Sequence, residues 1–307
     1  MASVAVAGAT AAGLSRPPSL LTYSVVYGPG HPGGSSGGLC LARPDGSRRV
    51  RLTPRREDRA ASWSPNGRFV VFARGAAGGA AVRILVANTR GRVVHELRSA
   101  SANADPAWAP DGLRIAYVSR DRGSRVVVAS AAAGRILAEV ATRAGLLSRP
   151  TWSPDGRRIA FAEQVDIDAP RQGGSSHIVV VNADGSGRRV LAAQATDPAW
   201  SPDGSKIAYV AYASRLAEAG DVVIANADGS GARSLTATRE PESRPAWSPT
   251  GRQIAFARGT STGSAVVVVP SAGGAERVVV RSRSYGALDP AWRPAVVLPK
   301  ARRRPAC

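Results

Sequence analysis

All six tryptophans of this 307-residue chain stand in one register. They are Trp63, Trp108, Trp152, Trp200, Trp247 and Trp292, at spacings of 45, 44, 48, 47 and 45 residues. Each lies in a copy of one phrase: ASWSPNGRFVVFA from Ala61, PAWAPDGLRIAYV from Pro106, PTWSPDGRRIAFA from Pro150, PAWSPDGSKIAYV from Pro198 and PAWSPTGRQIAFA from Pro245. A sixth, broken copy, PAWRPAVV, begins at Pro290. Chance does not place every Trp of a chain at one position of a repeat. The period is that of a four-stranded propeller blade, so the length is one repeat array rather than two ordinary domains.

The phrase has a direct physical reading. A short strand carries the Trp, large enough to anchor packing between blades. Ser-Pro-Asp-Gly follows, as in Ser153-Pro154-Asp155-Gly156. Pro presets φ at the first central turn position, Asp tolerates the second, and Gly accepts φ > 0 after it. The chain reverses into an apolar second strand such as Arg158-Ile159-Ala160-Phe161. Third strands are expected at Leu39–Ala42, Val82–Ala87, Val126–Ala129, Ile178–Val181, Val222–Ala225 and Val266–Val269, rich in the β-branched residues that suit a pleated, buried surface. Turns such as Asn182-Ala183-Asp184-Gly185-Ser186-Gly187 lead to fourth strands, for example Arg188–Leu191 and Arg277–Val280.

Strand counting predicts how the ring closes. Before Trp63 there are second, third and fourth strands, near Leu20–Tyr23, Leu39–Ala42 and Val50–Thr53, but no Trp strand. At Trp292 there is a Trp strand with nothing after it, and Arg293-Pro294-Ala295 replaces the turn. The two fragments complement each other. The expected fold is all-β: a six-bladed propeller over residues 20–298, its N-terminal blade completed by the C-terminal strand. Closure of this kind leaves only short, protected edges. Residues 1–19 are expected to be a disordered extension or the remnant of an export signal, and residues 299–307 a basic tail.

The repeated phrase, with Asn-Ala-Asp-Gly-Ser-Gly after it, resembles the repeat of the TolB propeller family over roughly residues 20 to 295. The resemblance differs from ordinary WD repeats, where a Trp-Asp pair ends the third strand. No segment corresponding to the α/β domain that precedes the propeller in TolB is found in the sequence. The resemblance implies a six-bladed propeller, commonly exported in bacteria, that uses its central funnel and one face to bind other proteins. Similar propellers also stand beside peptidase domains, and some carry lyase activity.

The formal net charge is +19, and 39 of the 41 basic residues are Arg. Either Arg serves as a dispersed default surface residue, or the surface meets an anionic partner. Three runs are dense. Arg48, Arg49, Arg51, Arg55, Arg56 and Arg59 lie on and after the fourth strand of the first blade; Arg277, Arg281 and Arg283 lie on and after the fourth strand of the last whole blade; Lys300, Arg302, Arg303 and Arg304 form the tail. Ring closure is expected to gather them at the seam. Arg48, Arg49, Arg281 and Arg283 then form a basic rim patch, which either guards exposed edge strands or holds an anionic envelope polymer or lipid headgroups.

Candidates for chemistry are few. Gly33-Gly34-Ser35-Ser36-Gly37 spells G-x-S-x-G, but in a Gly-rich loop between strands rather than at a strand-to-helix turn. His31, His95 and His177 fall in three different blades. No His/Cys pair has metal-ligand spacing. Asp166-Ile167-Asp168 is a loop pair that could take Ca²⁺ or simply be solvated. Cys40 and Cys307 make no disulfide framework and leave open whether they pair. The expectation is therefore no catalytic residue, no cofactor and no metal.

One pattern points elsewhere. The position three residues before each Trp opens the innermost strand. Around the ring it holds Ala60, Asp105, Arg149, Asp197, Arg244 and Asp289, with acid and base alternating over five blades. This is either a ring of salt bridges or a recognition ring for a partner's side chain or terminus. Interleaved Arg neutralises the carboxylates and argues against a bare metal site. The leading reading is a non-catalytic, monomeric scaffold, periplasmic or extracellular, that binds a protein or the cell envelope through its funnel face. The alternatives are a propeller-hosted lyase, lactonase or hydrolase, and a polyanion binder using the Arg-rich rim. Aromatic platforms interleaved with Arg are not evident, so no sequence-specific nucleic-acid partner is expected. No stretch approaches the length of a transmembrane helix.

Overall fold

The computed structural model describes residues 20–25, 37–54, 57–75, 82–97, 103–121, 123–143, 145–164, 176–214, 217, 219–282 and 287–294. In these residues every regular element is a strand. Blade 1 holds β1 (Leu20–Val25), β2 (Gly38–Ala42) and β3 (Val50–Arg51). Blade 2 is β4 (Asp58–Trp63), β5 (Phe69–Gly75), β6 (Val82–Asn88) and β7 (Val93–Leu97). Blade 3 is β8 (Asn103–Trp108), β9 (Arg114–Ser119), β10 (Ser124–Ser130) and β11 (Ile136–Arg143). Blade 4 is β12 (Leu147–Trp152), β13 (Arg158–Gln164), β14 (Ser176–Asn182) and β15 (Arg189–Ala193). Blade 5 is β16 (Ala195–Trp200), β17 (Lys206–Tyr212), β18 (Gly220–Asn226) and β19 (Arg233–Ser234). Blade 6 is β20 (Glu242–Trp247), β21 (Gln253–Thr260), β22 (Gly263–Pro270) and β23 (Arg277–Ser282). The last strand, β24 (Ala287–Arg293), returns to blade 1, whose order is β24-β1-β2-β3.

Six four-stranded antiparallel sheets form the predicted propeller, and β24 closes it as expected, pairing with β1 from Leu20↔Arg293 to Val25↔Ala287. The fourth strand is shortest in blades 1 and 5, where it shrinks to two residues. The second and third strands are buried on both faces. Val71, Phe72, Ile84 and Val126 are fully buried, as continuous Val/Ile/Ala runs require. Each core lies between blades rather than within one. Trp152 of blade 4, for example, packs with Ala116, Val118, Val126 and Val128 of blade 3.

Antiparallel alternation places both tight turns of a blade at one end. The turn before the second strand is hydrogen-bonded to the turn before the fourth: Ala183 N donates to Arg157 O at 2.8 Å, Ala227 N to Ser205 O at 2.9 Å and Ser271 N to Arg252 O at 2.9 Å. This end is called the turn face below. The loops between second and third strands lie at the other end, and the first strand starts there.

Gly33–Ser36, His31, Asp166, Asp168, Arg55, Arg56, Arg283, residues 1–19 and the tail from 295 onward lie outside the described residues. Cys40 is fully buried and disulfide-bonded. The chain's other cysteine is Cys307, outside the described residues.

Candidate functional site

The alternating slot is set apart by its backbone before its charge. Ala60, Asp105, Arg149, Asp197, Arg244 and Asp289 all have positive φ, between 52° and 60°. In each first strand the ladder slips at this point, between Ser148 and Thr151 in blade 4 and between Thr196 and Ala199 in blade 5. Each is a β-bulge with a left-handed residue where glycine is usual. A bulge re-aims a side chain, and here it turns six slot residues toward the axis.

Asp tolerates the left-handed region better than Arg or Ala, which pay about 1–2 kcal/mol for it. The three non-Asp slots are the ones held from outside. Arg149 N donates to Asp105 Oδ2 at 3.3 Å, Arg244 N to Asp197 Oδ2 at 3.1 Å and Ala60 N to Asp289 Oδ2 at 3.1 Å. Every Asp thus fixes the strained slot of the next blade, and the alternation has a backbone cause that the linear sequence hides.

The other carboxylate oxygens converge. Arg149 Nε lies 3.5 Å from Asp105 Oδ1 and 3.2 Å from Asp197 Oδ1, and its Nη1 donates to Asp289 Oδ1 at 3.1 Å. Blade 4 stands opposite blade 1, so this guanidinium spans the axis. Arg244 also contacts Asp289. Ser24 Oγ donates to Asp289 Oδ2 at 3.2 Å. The cluster lines a central cavity of about 290 Å³ together with small residues that follow the slots and the tryptophans Trp63, Trp200, Trp247 and Trp292. Three carboxylates against two guanidiniums leave a net charge of −1, and Ala60 leaves the sixth slot without a polar group.

Burial would raise the Asp105 carboxyl, but Arg149 and Arg244, with the Arg149 backbone N–H, outweigh it and hold the group below its ordinary 3.8. Burial first and the like charge of Arg149 second push Arg244 down to about 9, so it remains charged at neutral pH. A depressed carboxylate contributes stability that is present above its unfolded pKa and lost as pH falls through its folded value. Arg149→Met removes the shared cation from a largely desolvated cluster and is expected to cost about 3 kcal/mol. It should also move the acid limb of the stability curve to higher pH. Thermal melts from pH 3 to 7, against the wild type, check both.

The predicted seam arginines that are described are spread along β23. Arg49 Nη2 donates to Val279 O at 2.9 Å across the seam, and Arg277 acts on Asp45 of the neighbouring turn. Arg48, Arg49 and Arg277 therefore share the turn end. Arg281 pairs with Ala265, near the start of β22, at the other end of the strand. Arg283 lies outside the described residues. His95 and His177 lie apart, on β7 and β14, and no group of three His, Cys, Asp or Glu among the described residues could hold a metal ion.

A family profile described as the TolB beta propeller domain matches residues 94–214. The fold is similar to that of TolB from Acinetobacter baumannii, with a TM-score of 0.71 at 18% identity over 90% of this chain. The chain is a TolB-like six-bladed propeller. It spans 66% of that TolB's length. A putative TolB from Agrobacterium tumefaciens gives a TM-score of 0.63 at 14% identity, over 86% of this chain and 90% of the other. A chain of a nidogen/laminin complex gives 0.69 at 10% identity, over 90% and 99%. No curated protein sequence matches the TolB-like propeller. At these identities the likeness concerns the fold.

Proposed function

We propose that this TolB-like propeller is a non-catalytic scaffold that binds a basic segment of a partner protein at its funnel mouth. The observation that carries the reading is the convergence of Asp105, Asp197 and Asp289 on Arg149 in a cavity with net charge −1. Arg149 occupies the place that a partner's Lys, Arg or amino terminus would take. Asp105 and Asp197 keep side-chain exposures of 16% and 13% and are the carboxylates a partner can reach, while Asp289 is buried beneath them. Each carboxylate already holds a guanidinium and a backbone N–H, which suits a rigid receptor better than an acid or base poised near neutrality. The disulfide at Cys40 supports an oxidising compartment, periplasmic or extracellular.

The test uses immobilised protein as bait for the host's envelope fraction. The wild type is expected to retain a discrete partner that the Asp105→Asn/Asp197→Asn variant loses, with both baits verified as folded by circular dichroism. Retention of the same proteins by both baits places the contact elsewhere. Metal-dependent turnover of a lactone, uronide or peptide by pure protein, abolished in the same variant, would replace the scaffold by an enzyme.

A further inference from the structure

The turn face carries a charge that the funnel reading leaves unused. It is built from residues 64–69, 109–114, 153–158, 201–206 and 248–253, which precede second strands. Residues 43–49, 88–92, 130–135, 182–189, 226–233 and 270–277 precede fourth strands. The first set forms a continuous inner arc over blades 2 to 6, because Gly112 approaches Pro65, Gly156 approaches Pro110, Gly204 approaches Pro154 and Gly251 approaches Pro202 of the preceding blade. Together these segments hold sixteen basic and seven acidic residues. The acidic residues are mostly consumed by the turns themselves. Asp155 Oδ1 accepts Ser153 Oγ at 2.5 Å and Arg157 N at 3.0 Å, and Asp184, Asp203 and Asp228 serve the same role. By contrast Arg68, Arg90, Arg92, Arg135, Arg157 and Arg252 are exposed and form no ion pair among the described residues.

We propose that this face docks on an anionic phospholipid surface, with the funnel mouth turned away from it. Three observations favour lipid. The free arginines are spread over blades 2, 3, 4 and 6, matching a planar surface rather than a groove that tracks a strand. The position held by Arg68, Arg157 and Arg252 in their blades is Leu113 in blade 3. It is 72% exposed, an apolar side chain set among cations as at an interfacial anchor. The only aromatic in these segments, Phe69, is stacked on Trp108, so no platform is offered to a base. The inference is independent of the funnel's partner.

Sedimentation with vesicles tests it. The protein should partition onto mixed phosphatidylglycerol and phosphatidylcholine vesicles, ignore pure phosphatidylcholine, and be released as salt rises. Arg68→Glu/Arg157→Glu/Arg252→Glu should lower partitioning at least about a hundredfold, since each cation near such a surface adds roughly fivefold. A charge-matched control, Arg83→Glu/Arg239→Glu/Arg281→Glu, lies away from this face and should stay near wild type. Should the first variant fail to fold, Arg→Gln at the same three positions gives the same comparison at half the charge change. Equal loss in the face and control variants overturns the proposal, because only net charge would matter. Tighter binding to duplex DNA than to the vesicles also overturns it and assigns the face to nucleic acid.

Discussion

A chain ending at residue 286 is expected to melt more than about 10 °C below one ending at Pro294. The comparison isolates β24, because both truncations lack the tail and Cys307. Loss of the strand strips the ladder from β1 along its whole length and leaves an open edge. It also removes Trp292, which is 8% exposed and donates through Nε1 to Ala246 O at 2.9 Å, joining blade 1 to blade 6. Arg293 goes with it. Its guanidinium lies 4.6 Å from the Trp63 ring centroid and donates to Gly67 O at 3.0 and 3.1 Å, joining blade 1 to blade 2. Asp289 is lost too, and with it the acceptor for Ala60 N and a counterion of Arg149 and Arg244. Burial of one Trp is worth about 3–5 kcal/mol by truncation to Ala, so the sum approaches the whole stability of an ordinary domain. Coincident melts for the two truncations would mean that the ring does not depend on this strand.

The second large effect is graded. Trp152→Ala and Trp200→Ala should each cost about 3–5 kcal/mol in denaturant unfolding. Trp108→Ala and Trp247→Ala should cost less, because these rings are only half-buried. Trp152→Phe should be nearly neutral, since the Trp152 Nε1–H finds no acceptor among the described residues. The grading has an identifiable source. The residue six positions after one Trp covers the next blade's Trp: Phe69 stacks on Trp108, Arg114 lies 4.7 Å from the Trp152 centroid, and Arg158 lies 4.8 Å from that of Trp200. Cation–π cover of this kind adds about 0.5–2 kcal/mol depending on desolvation. Equal losses at all six positions would show that the covering residue has no role.

Blade number, strand order and closure were legible because they rest on repeated local signals: a Trp and a β-branched run six times each, and a Pro-x-Gly turn after the Trp five times. The slot residues were legible as an alternating set for the same reason. Their conformation was not. Nothing in Arg149-Pro150 announces a left-handed Arg, since the residue before Pro is ordinarily extended. The reach of Arg149 to Asp289, 140 residues away and across the axis, depends on side-chain length and bulge direction, which have no signature in the repeat. The seam arginines are spread along their strand for a related reason. Arg48 lies in the turn before β3 and Arg281 near the end of the neighbouring outer strand β23, and sequence proximity to a strand does not say which face a charge serves. The turn face emerges only when the two turn types of each blade are seen to share one end.

Closure by β24 also has a consequence for the order of folding. The pairing of Leu20 with Arg293 joins residues near opposite ends of the ring, so it carries the largest loop-closure cost among the described strand pairs and is expected to form after the other five sheets. Until then β1 presents an unpaired edge whose register is fixed from its other side by β2. A β24 from a second copy satisfies that edge equally well, because the contacts are identical. The last strand is therefore the one spoke that the wheel could share with another copy, and every other blade is closed within itself.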